Sequence, residues 1–351
     1  ADAGGITGKN LIINGSMQVA VRGTSTASVT GFGYHASDRF KTIMSSAGTF
    51  TVSQSTEAPD GFQHSHKYEC TTADASLSAN DYNFLQQSIE GQNLYQLQYG
   101  NSNAETVTVS FWVRSNKTGT YNVELRISST TNYNAQQYTI SASNTWEKKV
   151  VTFVGSTANA LSNTDNNAGL ELNFWLGAGS TYSGGTTQGN TWHTTANARA
   201  AGNVNLADTI GNEWHITGIQ LEVGEQATPF EHRSYGDELA RCQRYYYSHA
   251  DGTSQSIGFG CNYSSSLLTC QVHFPVTMRS SPTLVQGSGT NYYRFRRSNG
   301  SDLFNSFTAT QTPSTNSVAL DCNANISGTQ GDGGRVQTGN ASAYIHFDSE
   351  L

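Results

Sequence analysis

The 351-residue sequence predicts an all-β protein: an antiparallel β-sandwich, a short linking α-helix and a small C-terminal β-domain. Three observations predict it. Gly, Ser, Thr and Asn crowd a chain of which only 13% is charged, while 17 Tyr, 15 Phe and 5 Trp supply apolar area to offset chain entropy. Apolar residues recur with a period of two in many short stretches, separated by loops of turn-forming residues. A convincing helical period occurs in one place, near residue 240.

Taken in order, NLIINGSMQVAVRG (10–23) reads as strand, Asn-Gly turn and second strand, and GTFTVSQS (48–55) and SHKYECTT (65–72) alternate as strands do. FLQQSIEGQNLYQL (84–97) fits either a short helix or a strand followed by a turn. TVTVSFWVRS (106–115) sets Val107, Val109, Phe111 and Val113 on one face, and TYNVELRISS (120–129) does so with Tyr121, Val123, Leu125 and Ile127. TWEKKVVTFVG (145–155), GLELNFWLGAG (169–179) and EWHITGIQLEVG (213–224) complete the first set. Over 235–247, Asp237 and Glu238 come early, Arg241 and Arg244 late, and Leu239, Cys242 and Tyr246 form one stripe, which predicts a helix. Short strands resume after it. The expected divisions are a leader at 1–9, a sandwich at 10–233, the linking helix at 234–249 and a β-domain at 250–351.

A net charge of −7 argues against binding a phosphate backbone, and no apolar run is long enough to span a membrane. The opening ADAGGITGKN has no basic and apolar pattern of a secretory signal; its first Ala fits a processed gene product or a fragment equally. Cys70, Cys242, Cys261, Cys270 and Cys322 have neither disulfide nor zinc spacing and read as reduced, mostly buried thiols.

NLIINGSMQ (10–18), VTVSFWVRS (107–115) with GTYNVELR (119–126), TWEKKVVTF (145–153) and HITGIQLEVGEQATPFE (215–231) resemble the jelly-roll of carbohydrate-binding modules in the galactose-binding-like group. The passage from GIQLEVGEQATPFE through RSYGDELARCQRYY (233–246) to FPVTMRSSPT (274–283) is similar to tail-fibre and other virion appendage proteins of bacteriophages; ASDRF (36–40) fits an early strand of that group. The resemblance implies a jelly-roll sandwich in a non-enzymatic virion protein on the tail or capsid exterior, made in the host cytoplasm. It implies a homotrimer; the glycine-rich leader is expected to dock it to other virion proteins through its N-terminus. A tail fibre attached to host-surface polysaccharide is the leading role, a capsid-surface head fibre the alternative. No nucleic acid, membrane insertion or cofactor is expected. Modules of the group often hold calcium with an acidic residue after the first NG, where this chain has Ser16-Met17-Gln18; Asp38 and Glu222 could still supply oxygen ligands, or be solvated or hydrogen-bonded carboxylates.

Nothing resembles GxSxG or HExxH, no carboxylate pair stands out, and GTQGDGG (328–334) reads as a loop. His64 and His66 in HSH could face one side of a strand as zinc ligands or lie on the surface. For glycans, Tyr182 and Trp192 in a long polar loop could offer sugar platforms, or pin the loop or pack at an interface. Trp112, Trp146, Trp175 and Trp214 read as core. In the terminal domain Tyr292, Tyr293, Arg294, Arg296 and Arg297 could read an anionic glycan, or form an ordinary basic strand. Leu239, Tyr245, Tyr246 and Tyr247 are expected to carry oligomerisation.

Overall fold

The computed structural model describes residues 8–298, 300–309 and 313–351, so most of the leader, expected to dock the chain on a virion, lies outside the described residues. The first unit contains β1 (Ser25–Val29), β2 (Lys41–Ser45), β3 (Thr49–Ser55), β4 (Ser65–Thr72), β5 (Tyr82–Glu90) and β6 (Val107–Ser115). It continues with β7 (Gly119–Ile127), β8 (Asn132–Ile140), β9 (Glu147–Phe153), β10 (Ala168–Ala178), the one-turn α1 (Ser180–Ser183) and β11 (Glu213–Val223). A six-stranded sheet runs β1-β3-β4-β11-β6-β9 and a five-stranded sheet runs β2-β5-β10-β7-β8. The chain passes repeatedly from one sheet to the other, which makes an antiparallel jelly-roll sandwich.

The inward faces are those the alternation predicts. Val107, Val109, Phe111 and Val113 of β6 meet Tyr121, Val123, Leu125 and Ile127 of β7 and Leu170, Leu172, Phe174 and Leu176 of β10 in one buried cluster. Each such side chain stabilises the fold by roughly 1.5–3 kcal/mol.

The amino-terminal stretch corrects the sequence reading. Residues 10–23 form no strand; they are a largely buried coil. Asn10 and Asn14 supply side-chain hydrogen bonds where a ladder would have stood: Asn10 Oδ1 accepts from Ile12 N (3.0 Å) and Leu221 N (3.1 Å), and Asn14 Oδ1 accepts from Val19 N (2.9 Å). Gly15 is not a hairpin glycine. Its backbone lies so close to β11 that an added Cβ would stand 2.1 Å from the Ile219 carbonyl oxygen. Gly15→Ala is therefore expected to destabilise the first unit by about 1–3 kcal/mol in urea unfolding. An unchanged midpoint would show that the contact is not tight.

ASDRF (36–40) is a turn, with Arg39 at φ 72°, and β2 begins just after it. Of the two readings for 84–97 the strand holds: β5 is followed by short 3-10 turns at Gly91–Asn93 and Tyr95–Leu97. The passage from 224 to 238 laces the amino-terminal coil down. Glu231 accepts from Gly8 N (2.6 Å) and Asn10 N (2.8 Å), and Glu238 accepts from Asn14 N (2.6 Å).

The described residues up to Glu238 form one compact unit and Leu239–Leu351 a second, so the division falls inside α2 (Tyr235–Gln243). Ser234 caps that helix, accepting from Asp237 N at 3.2 Å. The helix is shorter than expected because three successive tyrosines favour a strand. The second unit contains β12 (Tyr246–Asp251), β13 (Ser256–Ser264), β14 (Leu267–His273), β15 (Thr283–Gln286) and β16 (Tyr293–Arg297). It ends with β17 (Gly300–Phe304), β18 (Thr308–Ala309), β19 (Ser317–Cys322), β20 (Gly333–Thr338) and β21 (Tyr344–Asp348). These form sheets β12-β21-β15 and β17-β16-β20-β13-β14-β19-β18.

Pairing of Tyr246 with Asp348 and of Tyr247 with Phe347 places both tyrosines in the first of these sheets. Tyr245 and Tyr246 are buried in the single chain and Tyr247 packs on its second core. Of the four residues expected to carry oligomerisation, Tyr245 and Tyr246 are therefore spent inside the protein, while Leu239 and Tyr247 stay partly exposed. None of the five cysteines is in a disulfide, and Cys261 alone is exposed.

Candidate functional site

The outer face of the five-stranded sheet departs from the usual polar, solvated pattern. Register places Ile43, Phe84, Trp175 and Asn122 in one row across β2, β5, β10 and β7, with Gln86, Asn173 and Glu124 in the next row. Tyr82 lies at the start of β5 and Tyr133 in β8, opposite Arg126. The result is an aromatic floor edged by amides, carboxylates and guanidinium groups.

A loop folds over part of this face. Gly179 turns the chain out of β10 where an added Cβ would stand 1.9 Å from the Ser78 carbonyl oxygen. The next turn, α1, carries Tyr182, and Ala200 N donates to the Tyr182 carbonyl at 2.9 Å, which sets Arg199 beside it. Arg199 is the keystone. Its guanidinium lies 4.2 Å from the Tyr133 ring centre and 5.0 Å from that of Trp175, and donates to both oxygens of Glu124 at 2.7 and 2.8 Å. Burial works to lower the Arg199 pKa, but the Glu124 carboxylate outweighs it and holds the value above the ordinary one. Asn173 Nδ2 adds a third bond to Glu124 at 2.8 Å.

Beyond Arg199, the Arg126–Glu171 ion pair closes at 2.7 Å, and Gln86 Nε2 donates to Glu171 (3.2 Å) and Asn173 (3.0 Å). At the other end Tyr182 meets Tyr82 edge-on at 5.4 Å, and Phe32, 60% exposed, stacks on Tyr82 at 6.4 Å. Between these groups lies a groove of about 330 Å³. Trp175 and Phe84 form its floor, 4.7 Å apart, and Ile43, Tyr82, Tyr182, Gln86 and Arg126 are its accessible walls.

The structure redistributes the residues expected at a site. Tyr182 lines the groove, but Trp192 does not. Trp192 pins its loop, donating from Nε1 to the Val154 carbonyl (2.7 Å) and packing edge-on against Tyr99. Trp175 and Trp214 are fully buried, Trp175 on the outer side of its sheet rather than in the main core; Trp112 and Trp146 are only half-buried. Tyr293 is core, its hydroxyl 2.6 Å from the Gly287 carbonyl oxygen, and Tyr292 packs on the same cluster. Arg297 is consumed internally by Asp302 (2.9 Å), Asn262 and the Phe295 ring. Only Arg294 and Arg296 of that set alternate to the opposite face of β16.

Asp38 and Glu222 do not converge on a cation. Asp38 accepts from Val21 N at 3.0 Å, and Glu222 from Thr228 N (2.9 Å) and Oγ1 (2.6 Å). His66 is neither ligand nor surface residue: it is fully buried, 5.4 Å from the Tyr68 ring. No cluster of potential metal ligands occurs among the described residues. A second groove of about 520 Å³ lies in the first unit between Gln18, Phe62, His64, His232 and Tyr235.

Fold and groove together define a class: a two-unit all-β protein with an aromatic, polar-rimmed groove on the outer face of a jelly-roll sheet. No family model and no curated protein matches the sequence. Among solved structures the chain is similar to the enzymatically active domain of bacteriophage CBA120 tailspike protein 4, at TM-score 0.34 and 13% identity over 62% of this chain and 22% of that one. The match thus spans about a fifth of the tailspike chain. The chain is also similar to a structure described as CBM4 (TM-score 0.31, 12% identity, 60% of this chain and 98% of that one). A family 11 carbohydrate-binding module from Clostridium thermocellum, in complex with a β-1,3-1,4-mixed-linked tetrasaccharide, gives 0.29 and 7% over 59% and 99%. With TM-scores this low, the function proposed next rests on the groove.

Proposed function

We propose that the groove binds a neutral saccharide without cleaving it, and that the chain is a virion appendage attaching a bacteriophage to host-surface glycans. The observation that carries the binding is the groove itself. A pyranose has an apolar face and a rim of hydroxyls; Tyr82, Tyr182 and Phe32 offer ring faces and edges, while Gln86, Arg126 and Glu171 offer donors and acceptors. A neutral ligand follows from charge, because Arg126 and Arg199 are already matched by Glu171 and Glu124. The same pairing supports a non-catalytic role: an acid or base must exchange a proton, and both carboxylates are held by guanidinium and amide groups.

The appendage role is supported by the sequence resemblance of the passage from 218 to 283. Attachment by a tail fibre is the first reading, a capsid-surface head fibre the second. On this reading the protein is a homotrimer, anchored to other virion proteins through its N-terminus.

A neutral oligosaccharide array, followed by calorimetry on the best binder, tests the groove. Tyr82→Ala is expected to weaken binding about tenfold, with no release of reducing ends by either protein. Equal affinity in the variant would remove the groove from the reading, and hydrolysis by the wild type would remove its non-catalytic part.

A further inference from the structure

The seven-stranded sheet of the second unit carries an arrangement the groove does not use. Its outer face bears Phe259 and Tyr263 of β13, 82% and 68% exposed. In register beside Phe259 on β20 is Arg335, and beside Arg335 on β16 is Arg296. Both arginines are exposed. Two residue pairs further along, the next on this face, Arg294 is opposite Gln337, and the Arg294 Nε is buried without a hydrogen-bond partner.

Two arginines directly opposite one another, on strands about 4.8 Å apart, repel. Proteins normally relieve this with a carboxylate. Here none is within ion-pair distance of Arg296 or Arg335 among the described residues. Arg335 reaches only the Gln337 side-chain oxygen, and the Asp302 carboxylate is engaged by Arg297. On the same face β19 bears Asp321, opposite Thr269 and away from the arginine row. An exposed aromatic ring beside two arginines without a carboxylate partner, with a second exposed ring further along the same strand, is well suited to one kind of ligand.

We propose that this face is a second binding site, taking an acidic polysaccharide. Carboxylate or sulfate groups of successive sugars would lie on Arg296 and Arg335, the forked guanidinium groups matching them bidentately. The next ring beyond Arg335 would stack on Phe259, at the end of the row, and Tyr263 would extend the platform along β13. The ligand is anionic because the arginines lack a carboxylate partner; it is a saccharide because the ring of Phe259 lies one strand from Arg335 and Tyr263 continues the exposed aromatic edge along β13.

The experiment uses the full chain and three probes: oligogalacturonate, its methyl ester, and a sulfated galactan fragment. At least one acidic probe is expected to bind more tightly than the methyl ester, with affinity falling as salt is raised. The double variant Arg296→Gln, Arg335→Gln should weaken that binding by about tenfold or more, and Phe259→Ala should weaken it independently. These side chains are exposed, so unchanged thermal unfolding is expected to show that the variants fold. Acidic probes that bind no better than the ester would overturn the proposal, as would variants that bind like the wild type. An oligomer in sedimentation velocity that Phe259→Ala dissociates would overturn it too, by placing a second copy of the chain on this face.

Discussion

Arg199→Ala is expected to destabilise the first unit by about 3–5 kcal/mol and to abolish saccharide binding in the groove. The Arg199 side chain is 11% exposed and Glu124 is fully buried, so truncation strands a carboxylate beneath Trp175 and Tyr133. Asn173 alone cannot replace two charge-assisted bonds. The loop also loses one of its ties to the sheet, and Tyr182 loses the guanidinium that lies 5.8 Å from its ring centre. Two effects are separable here. Glu124→Leu combined with Arg199→Met removes the stranded charge and is expected to recover much of the lost stability, whereas binding stays absent because the guanidinium that orders Tyr182, Trp175 and Tyr133 about the groove is gone. All five tryptophans lie in the first unit, so tryptophan fluorescence follows its unfolding alone. Arg199→Ala with wild-type stability would mean that solvent already screens the pair.

Acid is expected to unfold the first unit well before its carboxylates titrate. Burial pushes His66 down to about 3, helped by the charges of His35 and His215, and burial pushes His215 down to about 4 against the pull of Glu213. In the unfolded chain both rings return to about 6.5. Above that pH neither state binds the proton and the histidines are neutral to stability. As pH falls through 6.5 the unfolded chain takes up protons that the folded chain refuses, so stability declines until the folded values near 3–4 are reached. Each histidine contributes a slope of about 1.4 kcal/mol per pH unit, hence a combined loss of about 4 kcal/mol by pH 5. Glu213, held at about 2, adds acid sensitivity only below its ordinary value of 4.5. The His66 ring packs against Phe40 and Tyr68 with neither nitrogen hydrogen-bonded. His66→Phe should therefore fold and should show roughly half the slope between pH 6.5 and 5. An unaltered slope would assign the acid sensitivity elsewhere.

How much of this was legible in the sequence differs from strand to strand. β6 and β7 were plain because one face of each meets the opposite sheet, and period two records that directly. The same rule concealed the site. In ELNFW, Phe174 points inward while Glu171, Asn173 and Trp175 point outward; a tryptophan in an apolar run was read as core, although its outward neighbours are polar. That outward parity, together with Glu124 in YNVEL, was the available signal. Arg199 gave none, because its partner Glu124 lies 75 residues away and only the loop geometry brings them together. Trp192 and Tyr182 share a loop yet serve different ends, one anchoring and one lining. The Tyr292–Arg297 cluster failed for the same reason of parity: Tyr293 and Arg297 turn inward, and the aromatics that accompany Arg296 come from a distant strand, β13. Asn10 and Asn14 replaced a hairpin with side-chain hydrogen bonds, which periodicity does not register.

A crystal structure of the full chain with the best neutral oligosaccharide from the array tests the central claim most directly. The expected result is a sugar ring against Tyr82, under Tyr182 or on Phe32, with hydroxyls on Gln86 and Arg126 and the Arg199–Glu124 pair undisturbed beneath. A sugar seated instead between Phe62 and His232, with the Tyr82 groove empty, would contradict it.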